Sequence, residues 1–212
     1  MSKLSQTFDR VNIGSILSNH LTTFYHYEKF QFYGKKEIPS SDKFLFGILP
    51  IILSALFCWG GLKFKNDYVN IILTCLSIFI GLLFGLLTMV YSLVQDNQKI
   101  DLAKVEAEDS KKVRSKINLT IHLFINIAFS VVLSILAIIA VLMTQFHPDR
   151  LINYLQQKYY YTLIKNIYLY AINGLAFFLL IEFLLVIMMI IRRFMVLFLN
   201  QVGNILSSEI TS

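Results

Sequence analysis

The sequence predicts an all-α membrane protein: four transmembrane helices in a bundle, both termini cytoplasmic, with an amphipathic N-terminal helix and cytoplasmic extensions of helices two and three. Three observations predict this. Of 212 residues, 56% are hydrophobic, 15% are charged and three are proline, a composition too apolar for a soluble domain of this length. The apolar residues gather in four runs near the length of about 20 residues that a helix needs to cross the hydrocarbon core. Lys and Arg are shared unequally between the connecting segments, as the positive-inside rule requires.

Residues 1–43 form a cytoplasmic or interfacial N-terminal segment. Between Val11 and Tyr27 the residues Ile13, Ile16, Leu17, Leu21, Phe24 and Tyr27 share one helical face, and Ser15, Ser18, Asn19, Thr22 and Thr23 lie elsewhere. That face is expected to pack in the membrane surface, with Phe30, Phe32 and Tyr33 at headgroup level. The segment lacks the charged region and cleavage site of a secretory signal, so the first span is expected to be an uncleaved anchor.

The transmembrane domain covers residues 44–199, with spans at about 44–62, 68–94, 117–143 and 167–191. Pro50 is expected to kink the first span near its start. The cytoplasmic hairpin 95–116 contains no Gly or Pro and is rich in helix formers, so spans two and three should continue into it as helices. The outer segment 144–166 is Tyr-rich, with Tyr154, Tyr159, Tyr160 and Tyr161 suited to an aromatic belt, and residues 200–212 form a cytoplasmic tail.

Orientation follows the bases. Lys3, Arg10, Lys29, Lys35, Lys36 and Lys43 precede the first span, Lys99, Lys104, Lys111, Lys112, Arg114 and Lys116 sit around the hairpin, and Arg192 and Arg193 follow the fourth span. The opposite side has only Lys63, Lys65, Arg150, Lys158 and Lys165. The net charge of +6 is therefore assigned to the inner face of a membrane rather than to direct nucleic-acid binding.

Polar residues within the spans are the informative ones. In span two, Asn70, Thr74, Ser77, Gly81, Gly85, Thr88, Ser92 and Gln95 recur at intervals of three and four, within an arc of about 80°, and Gly81 and Gly85 form a GxxxG pair. Span three carries a looser stripe of Asn118, His122, Asn126, Ser130 and Ser134, followed by Ala137, Ala140 and Thr144. The simplest bundle turns both faces inward as helix-packing surfaces; the alternative sets the span-two stripe around a symmetry axis, bordering water. Glu182 lies near the middle of span four, in LLIEFLL. A neutral Glu182 bonded to Ser130, Ser134, Ser77 or His122 would hold helices together, whereas an ionisable one would serve proton movement or gating, with His122 and Asn126 as companions.

No catalytic or metal pattern is present. There is no GxSxG, HExxH, P-loop or paired intramembrane aspartate, and His20, His26, His122 and His147 lie apart. Cys58 and Cys75 fall inside spans, where they act as small apolar residues. The chain is expected to be no enzyme and to need neither cofactor nor metal. Its expected partners are the lipid bilayer, further copies of itself, and a soluble protein docked on the hairpin through Lys104, Lys111, Lys112, Arg114 and Lys116.

The stretch TCLSIFIGLLFGLLTMVYSLVQDNQK, Thr74 to Lys99, running into a charged hairpin within a layout of four spans and two inner termini, resembles the membrane subunits of bacterial anti-phage systems, in particular that of Kiwa. The likeness is one of layout over most of the chain and transfers no role to an individual residue. It implies a bacterial inner-membrane protein that assembles in the membrane, registers phage at the envelope and works with a cytoplasmic DNA-binding partner. The Tyr-rich outer segment would then be part of the sensing face. Beside that reading of a homo-oligomeric sensor and scaffold stand two others: a small ion-conducting or depolarising pore, and an immunity or exclusion protein.

Overall fold

The computed structural model describes residues 13–24, 38–98, 107–146 and 161–210. Every secondary-structure element among them is helical: α1 (Ile13–Thr22), α2 (Ser40–Lys43), a π-helical stretch (Phe44–Ile48), α3 (Leu49–Trp59), α4 (Asn66–Gln98), α5 (Ala107–Gln145) and α6 (Tyr161–Ile210). Four stretches are long and apolar enough to cross a membrane: Ser40–Trp59, Asn66–Leu93, Lys116–Gln145 and Asn166–Leu199.

The first of these starts and ends earlier than the sequence suggests and has a cause for its irregularity. Pro50 has no N–H to give the carbonyl of Phe46, and its ring crowds that carbonyl. The turn just before it widens instead, and Leu49 N–H bonds the carbonyl of Phe44. At the other end the helix closes in a Schellman motif, in which Gly61 N–H bonds the Cys58 carbonyl at 3.1 Å and Leu62 N–H bonds the Phe57 carbonyl at 3.0 Å. Gly61 has φ of 72°, a conformation that costs any residue with a Cβ.

The fourth span also departs from expectation. Its apolar character continues past Arg192 and Arg193 through FMVLFL, so the span reaches Leu199, and α6 continues to Ile210 through most of the expected tail. Helical extension of spans two and three is seen as far as Gln98 and from Ala107 onward. The hairpin tip with Lys104, the aromatic residues Phe30, Phe32 and Tyr33, and the outer residues Tyr154, Tyr159 and Tyr160 lie outside the described residues.

The chain divides into two compact units. One comprises Met1–Pro39, Leu82–Val131 and Val186–Ser212, the other Ser40–Gly81 and Val132–Leu185. In the first unit the buried apolar residues are Phe24, Leu83, Val90, Leu123, Ile127, Val131, Val186, Ile190 and Leu197. In the second, Val69, Ala140, Val141 and Ala176 form the core, with Phe64, Ile72, Leu73, Leu179 and Leu180 packed against it. Phe177 stacks on Phe64 at 4.4 Å and meets Phe57 edge-on at 5.4 Å. Gln145 Nε2 donates to the Phe64 carbonyl at 3.0 Å and pins the turn between α3 and α4.

Seven-residue spacing explains which faces are buried. On α4 the buried residues are Val69, Leu76, Leu83 and Val90, and on α6 Ala176, Phe183, Ile190 and Leu197 recur with the same step. Such repeats keep one seam of a helix against its neighbour, as in left-handed bundles.

Candidate functional site

The two polar stripes meet opposite fates. On α5, Asn126, Ser130, Ser134, Ala137, Ala140 and Thr144 are all buried, and Asn118 and His122 are half-buried. On α4, all eight residues of the stripe from Asn70 to Gln95 are exposed. The expectation that both stripes face inward is therefore corrected for α4. Its buried seam lies roughly 145° around the helix from the stripe, and four apolar side chains at seven-residue spacing fill it better than glycines do.

The hydroxyls of the α4 stripe turn back on their own helix. Thr74 bonds the Asn70 carbonyl at 2.8 Å, Ser77 that of Leu73 at 2.8 Å, Thr88 that of Phe84 at 3.0 Å and Ser92 that of Met89 at 2.8 Å. Gln95 Nε2 donates to the Tyr91 hydroxyl at 3.0 Å. A Cβ added at Gly81 or Gly85 would meet nothing within 4 Å. The result is a flat polar track with room for another backbone to come close.

The α5 stripe anchors α1. After Thr22 the chain turns tightly, with Thr23 N–H on the His20 carbonyl at 2.9 Å and Phe24 N–H on that of Leu21 at 3.2 Å, which brings His20, Thr23 and Phe24 to one side. All three are buried. His20 Nδ1 donates to Asn126 Oδ1 at 2.9 Å, and the Thr23 hydroxyl lies between that same oxygen, at 3.0 Å, and the His20 carbonyl, at 2.8 Å. The His20 ring stacks on Phe129 at 3.8 Å and meets Phe24 edge-on at 5.0 Å.

Arg193 completes the cluster. Its Nη2 donates to the Thr23 carbonyl at 2.8 Å, one of the carbonyls that the end of α1 leaves without a helical donor, and a cation there also suits the helix dipole. Burial pushes the His20 pKa down to about 4; the Asn126 hydrogen bond raises it, and the charge of Arg193 lowers it further. His20 is thus a neutral ring at ordinary pH. Asn126 was expected among the functional polar residues, but its partners were not. Arg193 was expected to follow the fourth span, and the apolar FMVLFL after it was the signal that the apolar stretch runs on to Leu199.

Glu182 is half-buried in the second unit, and its Oε2 has no hydrogen-bond partner among the described residues. Ser77, one of its expected partners, bonds backbone instead, and Ser130 Oγ is also buried without a partner among the described residues. Lys111, Lys112 and Arg114 fall on α5, and Lys116, where the span begins, is half-buried, its carbonyl accepting from Thr120 at 2.9 Å. Among the described residues no three His, Cys, Asp or Glu side chains come together to hold a metal ion.

Length, composition and the polar clusters define a multi-pass helical membrane protein. Comparison with protein families, curated proteins and solved structures finds no match to the chain.

Proposed function

We propose that the protein is a homo-oligomeric bacterial inner-membrane sensor and scaffold, in which α4 stripes of neighbouring copies meet and the cytoplasmic hairpin holds a soluble effector. The observation that carries this reading is the exposed α4 stripe. Lipid gives the Asn70 amide no partner, and it gains nothing from two glycines spaced for close helix contact. A second copy of the same stripe supplies both, because amides and hydroxyls are donor and acceptor at once. The α1 clamp supports the sensor part, since it ties the N-terminal segment to α5 and α6 through Asn126 and Arg193. The resemblance to the Kiwa membrane subunit supplies the nature of the effector, a cytoplasmic DNA-binding protein, and the setting of anti-phage defence.

Affinity purification of the full chain from its host in mild detergent, followed by native mass spectrometry, tests the proposal. A homo-oligomer carrying a soluble protein, which is lost when Lys111, Lys112 and Arg114 are changed to Glu, is the expected result. A monomer would overturn it.

The same stripe favours a second reading. Arranged around a symmetry axis, an uncharged polar track from Asn70 to Gln95 would border a water-filled path, and the protein would conduct. Ionic current that falls with Thr88→Leu, from an oligomer that carries no soluble protein, would select the pore.

A further inference from the structure

Helix α1 has several sides, and the clamp uses one of them. His20, Thr23 and Phe24 are buried, and the first two are held by their bonds to Asn126 Oδ1 and by that of Arg193 to the Thr23 carbonyl. About 90° further round the helix, Leu17 and Leu21 are 45% and 44% exposed. Asn19, also exposed, lies opposite these leucines. The chain is thus gripped through polar groups, while the two largest apolar side chains of α1 are left facing outward.

The depth of the grip decides what meets them. The spans Lys116–Gln145 and Asn166–Leu199 have 30 and 34 residues, about 45 and 51 Å of helix, close to the 40–45 Å of a bilayer with its head-group layers. Asn126 stands ten residues in from Lys116 and Arg193 six in from Leu199, about 15 and 9 Å along their helices. Each head-group layer takes up about 5–7 Å of that length. The clamp therefore lies just inside the border of the hydrocarbon, the depth at which amphipathic helices settle. Nearer the span ends than the clamp, α5 still exposes Ile121 and α6 still exposes Met195, Phe198 and Leu199. Leu17 and Leu21 are level with surface suited to lipid, and they continue it.

We propose that Leu17 and Leu21 insert into one leaflet of the membrane, so that α1 is a lever through which the packing of that leaflet acts on α5 and α6. The binding of such a helix varies with lipid composition and curvature. Whatever free energy the leaflet adds to the docked helix it adds to the clamp, because the two are linked. The lever rests on the proposed sensor function and names what is sensed; the lipid contact requires only that the chain cross a membrane.

Fluorescence of bimane on the full-length protein in liposomes tests the contact. In a background with Cys58→Ser and Cys75→Ser, the dye is attached through Leu17→Cys, Leu21→Cys or Asn19→Cys. Lipid brominated near the head-group end of its chains should quench the dye at the two leucine positions and leave it bright at Asn19, and iodide in the water should do the reverse. Quenching by iodide at Leu17 and Leu21 would overturn the proposal, and so would shielding from both quenchers, which would mean that a protein chain covers them. Hydrogen exchange in α1 tests the lever. Leu17→Ala with Leu21→Ala keeps helix propensity and should speed exchange in liposomes about tenfold, the effect of withdrawing two half-exposed leucines from lipid. Wild-type exchange should be slower in unsaturated than in saturated lipid, and the double variant should show no such difference. Wild-type exchange that ignores lipid packing would overturn the lever. Lipid-dependent exchange in a protein that purifies as a bare monomer would support the lever and overturn the scaffold.

Discussion

Helices α4 and α5 carry polar stripes of similar composition, yet one is exposed and the other buried. The difference comes from what else each helix offers. On α5 the polar residues share their face with Leu123, Ile127, Val131, Ala137 and Val141, all buried, so the stripe is embedded in a seam that packs. On α4 the apolar seam of Val69, Leu76, Leu83 and Val90 lies on another side, and the stripe is surplus to packing within one chain. In a membrane, where apolar surface drives no association between helices, a surplus polar face is the clearest mark of a contact still to be made.

Changing a stripe should therefore have different consequences on the two helices. The largest effect is expected at Asn126, whose Oδ1 serves both His20 and Thr23. Asn126→Leu would leave the buried His20 N–H unpaired, at about 1–3 kcal/mol, while the Thr23 hydroxyl keeps the His20 carbonyl, and a denaturant titration of the monomer should show the loss along with freer proteolysis near α1. On α4, by contrast, Gly85→Leu should leave the monomer's melting temperature nearly unchanged while weakening self-association tenfold or more, about 1.4 kcal/mol. Förster transfer between labelled copies in liposomes measures the latter.

Acid should act on one side of the comparison only. His20 binds its proton more weakly in the folded chain, near pH 4, than in the unfolded chain, near 6.5. The unfolded state thus takes up protons first as pH falls, so the contribution of the clamp is complete above about 6.5 and is lost progressively toward 4. Hydrogen exchange in α1 should rise over that window and stay flat in His20→Gln. At the α3 turn, Gly61→Ala should cost about 1 kcal/mol because of its positive φ, read by thermal melting. The smallest effect is expected for Ser77→Ala, whose hydroxyl bonds only its own helix; stability should change by less than about 0.5 kcal/mol.

How much of this could be read beforehand follows from the same physics. Long apolar runs betray four spans because lipid demands length, and the polar stripes are visible because polarity in such runs is rare. The packing seams escaped notice because lipid-facing and packed positions are both apolar: nothing in composition separates Leu76, buried, from Leu82, exposed. Only the step of seven in Ala176, Phe183, Ile190 and Leu197 distinguishes a seam, and it has to be sought as a period. The α1 clamp was hidden for another reason. The reading laid Leu17 and Leu21 on the membrane surface, and they are exposed, but it gave no role to His20 and set Thr23 off the apolar face, and these two are buried; an amphipathic pattern shows two faces without saying which meets protein.

The central claim, that the α4 stripe joins copies, is most directly tested by a disulfide scan. Single cysteines placed from Asn70 to Gln95, in a background with Cys58 and Cys75 replaced by Ser, are oxidised in native membranes. The account predicts cross-linked dimers that peak at Thr74, Ser77, Gly81, Gly85 and Thr88 and fall away at Ile78, Leu82 and Met89. Peaks at the latter positions, or no periodicity at all, would contradict it.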